Sequence, residues 1–499
     1  MEISENLQKN ILILVGVVVL VLAIVLLNKA DSNLEVLSGD NIRIIYTDLG
    51  FSPEVVAITK GSTVTFVNNS SRDFWPASNL HPTHEIYPEF DSLEGIPSNG
   101  EWSFRFNKEG RFEYHDHLAS NFDGVIIVVK EGLAEIRNTG LNCEDIQNID
   151  DSRKAACLEE RIREVSSNEG IAAALNVVAK GFQNDPVFVA NCHALVHVIG
   201  EEAYDRFSAG KDFDADEKTV YCGYGFYHGF MERLLTLEND LNKAKEFCTY
   251  LDEEVMDGRG NAQLACFHGI GHGFVDGSEK KAWGDEVALT EPALKLCDKV
   301  VSTDEEGFRC YSGVFNSLSI AYASNLYGLT LDKEDPLWIC REQKEERYKL
   351  GCYTDMMVAL MVLEDDDLAK ATKYLDVVEE KYLNKTASTL ASLAVRQNLD
   401  VDDFSPIVNV CHSIDSNIRL DCIKGFSSGL MEFGEPEREY IKASNFCGEE
   451  SMTLSEKKEC FESIIDYASF TYPKDRLAKA CAMIKDEFRS ERVNNHCPI

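Results

Sequence analysis

Apolar and polar positions change rhythm along the chain. From Ile11 to Leu27, "ILILVGVVVLVLAIVLL", no polar residue occurs. At about 1.5 Å per residue this run spans roughly 25 Å as a helix, near the lower limit for crossing a bilayer. Its flanks lack the basic n-region and small-x-small cleavage site of a signal peptide. An uncleaved transmembrane anchor is therefore predicted over 1–28, with a polar linker over 29–40. From 41 to 131 the period shortens to two: "NIRIIY" and "STVTFVN" are β-branched, "WSFRF" alternates strictly, and glycines punctuate the gaps. An all-β sandwich is expected there. From 132 to 499 apolar residues recur at helical spacing, as in "GIAAALNVVAKGF". The expected fold class is multidomain: a membrane helix, an all-β sandwich and an all-α domain.

The helical part is repetitive. All 16 cysteines lie at or beyond Cys143, in close couples: Cys143/Cys157, Cys192/Cys222, Cys248/Cys266, Cys297/Cys310, Cys340/Cys352, Cys411/Cys422, Cys447/Cys460 and Cys481/Cys497. None has C-x-x-C spacing, so local disulfides are expected rather than zinc ribbons. Disulfides persist outside the reducing cytoplasm. The expectation is a single-pass cell-membrane protein whose bulk is extracytoplasmic. Three residues after the second cysteine stand Gly225, Gly269, Gly313 and Gly425; four residues further stand Gly229, Gly273, Ser317 and Gly429. Glycine weakens a helix, so its recurrence at one register predicts close helix approach. The unit at Cys352 departs, with Asp355 in the glycine place. The long gap from Cys340 to Cys411 is read as holding one unit without cysteines. Helix pairs stapled in this way stack into an α-solenoid.

Charge narrows the partners. The chain has 49 basic and 85 acidic residues, a net charge of −36. Such a chain repels polyphosphate, which excludes nucleic acid as an expected partner. The membrane, metal ions and a protein on the solenoid's concave face remain.

Two segments carry a family resemblance. "GFSPEVVAITKGSTVTFVNNS" (Gly50 to Ser70), followed by "GRFEYHDHLASNFDGVIIVV" (Gly110 to Val129), resembles the cupredoxin family of plastocyanin-like domains. The resemblance implies a β-sandwich over about 41–131 and type 1 copper held by histidine, cysteine, histidine and often methionine. This chain departs from that set. Phe74 or Trp75 stands at the first histidine's place, Tyr114 at the cysteine's and Phe122 near the methionine's; only His117 matches. No blue site is expected. Other ligands are present: His115 and His117, two apart on one strand face, and His81 and His84 in "HPTHEIYPEFD", near Glu85, Glu89 and Asp91. In the cupredoxin fold these segments meet at one end of the sandwich. Converging imidazoles suit type 2 Cu(II) or zinc.

Five further histidines fall in consecutive repeats: His193 and His197, His228, and His268 and His272. H-x-x-x-H spacing places both rings of a pair on one helix face. His228 and His272 share a register, six residues past the cysteine, and Glu232 and Asp276 follow four residues later. A second metal site, for zinc or iron, is one reading; buried, hydrogen-bonded histidines are the other. The leading expected function is extracytoplasmic copper binding at His81, His84, His115 and His117, in capture, transfer or redox. The alternatives are a metal-dependent oxidase or hydrolase centred on the helical histidines, and a metal-free adhesion or scaffold protein.

Overall fold

The computed structural model describes residues 33–497 apart from 80–83, 85–86, 131–134, 138–150, 211–214, 239, 256–261, 276–279 and 400. The anchor expected over 1–28 lies outside the described residues. Among these, no helix is long and apolar enough to cross a membrane.

The β part comprises β1 (Asn33–Leu37), β2 (Ile42–Thr47), β3 (Gly50–Ser52), β4 (Val55–Thr59), β5 (Thr63–Asn68), β6 (Pro76–Ser78), β7 (Glu101–Arg105), β8 (Gly110–Asp116), β9 (Ala119–Val129) and β10 (Glu135–Arg137). One sheet has the order β10-β1-β4-β9-β8-β6, the other β3-β2-β5-β7. Alternation on the strands turns one face of each sheet inward. The shared core is aromatic, with Phe66, Phe74, Phe90, Phe106, Phe112 and Tyr114 all buried. No cysteine supports it, so packing alone holds this sandwich. β1 lies inside the segment read as a linker: it pairs in parallel with β4 and antiparallel with β10, covering an edge that would otherwise stand unpaired.

The helical part opens with α1 (Asp151–Glu169), α2 (Ile171–Asn184) and α3 (Pro186–Ser208). Next come α4 (Tyr221–Glu238), α5 (Leu241–Tyr250), α6 (Ala262–Gly273), α7 (Glu286–Val300) and α8 (Asp304–Ala323). The array continues through α9 (Trp338–Arg341), α10 (Glu346–Asp355), α11 (Met357–Leu363), α12 (Leu368–Ala371), α13 (Glu380–Leu393), α14 (Ser405–Ser413) and α15 (Arg419–Phe433). It ends with α16 (Glu439–Cys447), α17 (Leu454–Thr471), α18 (Lys474–Ala482) and α19 (Glu491–His496). Seven of the expected disulfides are formed, from Cys192–Cys222 to Cys481–Cys497. Cys157 is also disulfide-bonded; its expected partner Cys143 lies outside the described residues. Most bonds join an outer helix to the start of the inner helix that follows it. The gap between Cys340 and Cys411 does hold a cysteine-free unit, with α13 as its inner helix.

The glycine register acts as backbone contact. A Cβ added at Gly229 would lie 1.9 Å from the His197 carbonyl oxygen, one at Gly313 2.0 Å from that of His268, and one at Gly425 2.0 Å from that of Ser388. Only hydrogen fits at these places. Ser317 replaces the clash with a hydrogen bond, its hydroxyl donating to the His272 carbonyl at 3.0 Å. Where Asp355 interrupts the pattern, the inner helix breaks: α10 ends there and α11 restarts at Met357.

The array is not the open solenoid expected from the repeats. The inner helices α4, α6, α8, α10, α13 and α15 pack in sequence, and α15 returns against α4. At the junction a Cβ on Gly223 would meet the Phe433 ring at 2.3 Å, and Tyr221 donates to Glu437 at 2.9 Å. The order of close-packed neighbours thus comes back on itself, with the last of these inner helices against the first. The sandwich docks on this body through β8, which lies against α1, while Trp75 and Ala77 join the helical core.

Gly313→Ala is expected to destabilise the protein by about 1–3 kcal/mol, the usual cost of overpacking. Ser317→Ala, which loses a single hydrogen bond, is expected to cost about 0.5–1.5 kcal/mol. Chemical denaturation with far-ultraviolet circular dichroism measures both. A Gly313→Ala protein as stable as the parent contradicts the close-approach account.

Candidate metal centre

Alternation on β8 sorts its last side chains. Tyr114 points into the sandwich core and His115 away from it, and His117 follows in the turn just beyond β8. Asp116 turns inward, accepting from the Tyr46 hydroxyl at 2.5 Å and the Trp75 and Leu118 amides at 2.8 and 3.1 Å. His84 arrives from the loop after β6 with a left-handed backbone, φ 54°. That conformation costs roughly 1–2 kcal/mol and is held by the contacts of its ring.

The three imidazoles converge. One ring nitrogen of each of His84, His115 and His117 lies within 4.8 Å of the others, and all three residues are buried. His84 Nδ1 donates to Asp91 Oδ2 at 2.7 Å, which turns its Nε2 toward His117 Nδ1 at 2.9 Å. His115 Nδ1 donates to the Asn79 side-chain oxygen at 2.7 Å. His117 Nε2 shares a hydrogen bond with the Tyr327 hydroxyl at 3.2 Å. Acceptors on the far nitrogens of His84 and His115 fix their tautomers and aim the near ones, as around metal-bound imidazoles, and the Tyr327 hydroxyl holds the far nitrogen of His117. Asp91 also accepts from Trp75 Nε1 at 2.6 Å. Burial pushes its carboxyl pKa up, but these hydrogen bonds, His84 foremost, hold it below the usual range. The Trp75 ring lies 4.3 Å from that of His117 and 5.1 Å from Trp283 of the helical part, so both domains roof the site.

Among the described residues, no cysteine joins the three histidines. Tyr114, where a cysteine was sought, is wholly buried among Phe51, Phe66 and Phe90. Phe122 stacks under the Arg72 guanidinium. Phe74 belongs to the core, stacked on Tyr46, so Trp75 is the aromatic that faces the histidines. Glu89 pairs with Lys108 at the surface. His81, Glu85 and Asp276 lie outside the described residues.

The five helical histidines also come together. The His228 ring stacks on His272 at 5.0 Å and lies 5.1 Å from both His193 and His268. Their close spacing follows from the glycine contacts between α3, α4 and α6. Glu232 bridges two of them: His197 Nε2 lies 3.1 Å from one carboxylate oxygen, and His272 Nδ1 donates to the other. His193 donates to the Cys222 carbonyl, and His268 Nδ1 bonds to the Ser312 hydroxyl. Among the described residues, no three ligand atoms here meet within the spacing found at His84, His115 and His117.

A buried polar chain joins the two groups. Asn79, which orients His115, donates to Glu159 at 2.9 Å. Arg163 bonds Glu159 at 3.2 Å and Glu201 at 2.8 Å. Glu201 faces His197 at 3.4 Å, and His197 faces Glu232. Burial lowers the His197 pKa, but Glu232 and Glu201 outweigh it and hold it up at about 10. Burial raises that of Glu201, and Arg163 with His197 brings it down to about 2. Glu232 is likewise pulled well below the carboxylate range by His197 and His272. Burial, reinforced by neighbouring cations, keeps His228 and His268 neutral and takes His193 to about 3.

Asn79, Tyr327 and this relay were not found from the sequence. H-x-x-x-E at His197/Glu201 and E-x-x-x-R at Glu159/Arg163 were readable signals, since residues four apart share a helix face. Asn79 and Tyr327 offered none, because each meets its histidine from a distant segment, 36 and 210 residues away.

No protein-family model matches the chain, and no curated protein matches it. Among solved structures the chain is similar to one described as a novel purple cupredoxin from Nitrosopumilus maritimus. The identity is 22%, covering 18% of this chain and 100% of that chain, with a TM-score of 0.17.

Histidine-selective nuclear magnetic resonance at pH 8 is expected to show His197 doubly protonated and His228 and His268 neutral. With its pKa raised to about 10, His197 contributes stability in full below about pH 6.5, the value for an unperturbed histidine. That contribution is lost as pH rises through the folded value. Glu201 behaves oppositely: its contribution is present above about pH 4.3 and is lost as pH falls through about 2. A neutral His197 at pH 8 contradicts this ordering.

Proposed function

We propose that this is an extracytoplasmic copper-binding protein with a thiolate-free, three-imidazole centre at His84, His115 and His117. The observation that carries the reading is the buried convergence of these rings, each held by a hydrogen bond on its other nitrogen. The donor set fits type 2 Cu(II) and, by the same nitrogens, zinc. His81, from the same insertion as His84, is the proposed fourth ligand. Cover from Trp75, Trp283 and Tyr327 favours a metal retained for redox work or guarded transfer over loose capture at the surface. The seven disulfides accord with an oxidising compartment, and the apolar run Ile11–Leu27 is the proposed anchor.

A second reading, a metal-dependent enzyme centred on the helices, is favoured by one observation. His272 Nε2, on the ring whose Nδ1 meets Glu232, is buried without a hydrogen bond. Atoms of that kind are what a bound metal or water satisfies.

Metal analysis of the purified ectodomain, after incubation with copper and desalting, tests the first reading. One retained copper per chain with nitrogen hyperfine structure in electron paramagnetic resonance is expected. Joint His115→Ala and His117→Ala substitution is expected to abolish retention, and joint His228→Ala and His272→Ala substitution to leave it intact. Copper lost only from the second variant overturns the assignment in favour of the helical site.

A further inference from the structure

The closed ring of inner helices surrounds a cavity of about 400 Å³, within the range of small-molecule sites. The repeat explains its lining. The position six residues past the second cysteine faces it in several units, as His228, Asn316, Val358 and Ser428. Most of that wall is uncharged and hydrogen-bonding.

The charged side chains are different. Arg309 on α8, Lys385 on α13 and Arg396 just beyond α13 converge on the cavity from one side. This occurs in a chain with net charge −36, where chance favours acids. Elsewhere among the described residues Arg163 is held by three carboxylates and Arg233 by one. Among the described residues, these three have none within ion-pair distance. The Arg396 guanidinium lies 4.8 Å over the Phe433 ring and the Lys385 ammonium 6.0 Å from Phe308. Arg309 spends one donor on the Leu264 carbonyl at 3.4 Å. Aromatic and backbone contacts thus place the heads while leaving donors for something else.

Two acids share the cavity. Asp355 accepts from Asn316 at 3.3 Å and Thr354 at 3.0 Å, and Glu432 has no hydrogen bond to a described residue. Burial raises both carboxyl pKa values, that of Asp355 to about 6. They do not neutralise the cations by contact, and the local balance stays positive.

We infer that the ring cavity is a binding site for a small, multiply charged oxyanion carrying carboxylate or phosphate groups. Arg309, Lys385 and Arg396 form the charge clamp, and Ser312, Asn316 and Ser428 supply neutral hydrogen bonds. Planar guanidinium groups suit such oxygens because they donate in parallel pairs. Lys385 and Arg396 are exposed at the rim, which gives a ligand a route to the interior. The site is independent of the three-histidine centre in the sandwich.

Isothermal titration calorimetry on the metal-free ectodomain tests this, with glutarate and inorganic phosphate as separate probes and glycerol as the neutral control. Saturable one-to-one binding of glutarate or phosphate is expected, with none for glycerol. The probe that binds more tightly identifies carboxylate or phosphate as the natural group. Arg396→Gln is expected to weaken binding by about tenfold or more, since it removes a charged bidentate donor. Arg396→Lys should restore part of it, and the His115→Ala/His117→Ala protein should bind as the parent does. Arg396 is exposed, so its variants are expected to fold, which circular dichroism checks. The proposal is overturned if neither anion binds the folded parent at millimolar concentration. Binding undiminished by Arg396→Gln together with Lys385→Gln overturns it equally.

Discussion

The architecture depends on inner helices approaching until one backbone touches the next. At Gly229, Gly313 and Gly425 a carbonyl of the neighbouring helix occupies the place where any other residue would carry its Cβ. That approach does three things at once. It sets the curvature that returns α15 to α4. It brings the side chains of successive repeats within ring-contact distance, so that His193, His228, His268 and His272 become neighbours. It also leaves the long polar side chains of α8 and α13 pointing into a shared cavity rather than into a packed core. Looser packing would splay the ring and separate the histidines.

Disulfides and ionic contacts answer the cost of this arrangement. Glycines in helices favour the unfolded chain, and charged groups taken from water are expensive unless paired. The disulfides close loops of 11 to 30 residues, and each contributes about 3 kcal/mol in chain-entropy terms. The Glu159, Arg163, Glu201, His197 and Glu232 series alternates sign along its length, so each buried charge meets an opposite one. This series begins at Asn79, which orients His115, and ends beside His228 at the cavity wall. The sandwich and the ring are therefore joined by a polar path as well as by apolar docking.

Much of this was legible because it is periodic. The switch from alternation to helical spacing located the two bodies. The cysteine couples located the helix pairs, and the small-residue register announced the backbone contacts and the meeting of His228 with His272. His115 and His117 were expected on one strand face, but β8 ends between them and His117 stands in the turn that follows. What stayed hidden depends on contacts between distant segments. Tyr327 reaches His117 across 210 residues, and Phe433 closes the ring over Gly223. Arg309 and Lys385 come from units far apart in the chain, and Arg396 lies just beyond the end of α13. β1 was read as linker since its five residues gain meaning only from the edge they cover. Ring closure rests on the contact of α15 with α4, which no single repeat encodes.

The central claim is that His84, His115 and His117 form one metal centre beneath the helical domain. Its most direct test is an anomalous difference map from crystals of the copper-loaded ectodomain, recorded at the copper absorption edge. The account predicts one strong peak bounded by the three imidazole nitrogens, with no sulfur among the neighbouring atoms. A peak among the helical histidines alone, or none in a fully loaded crystal, would contradict it.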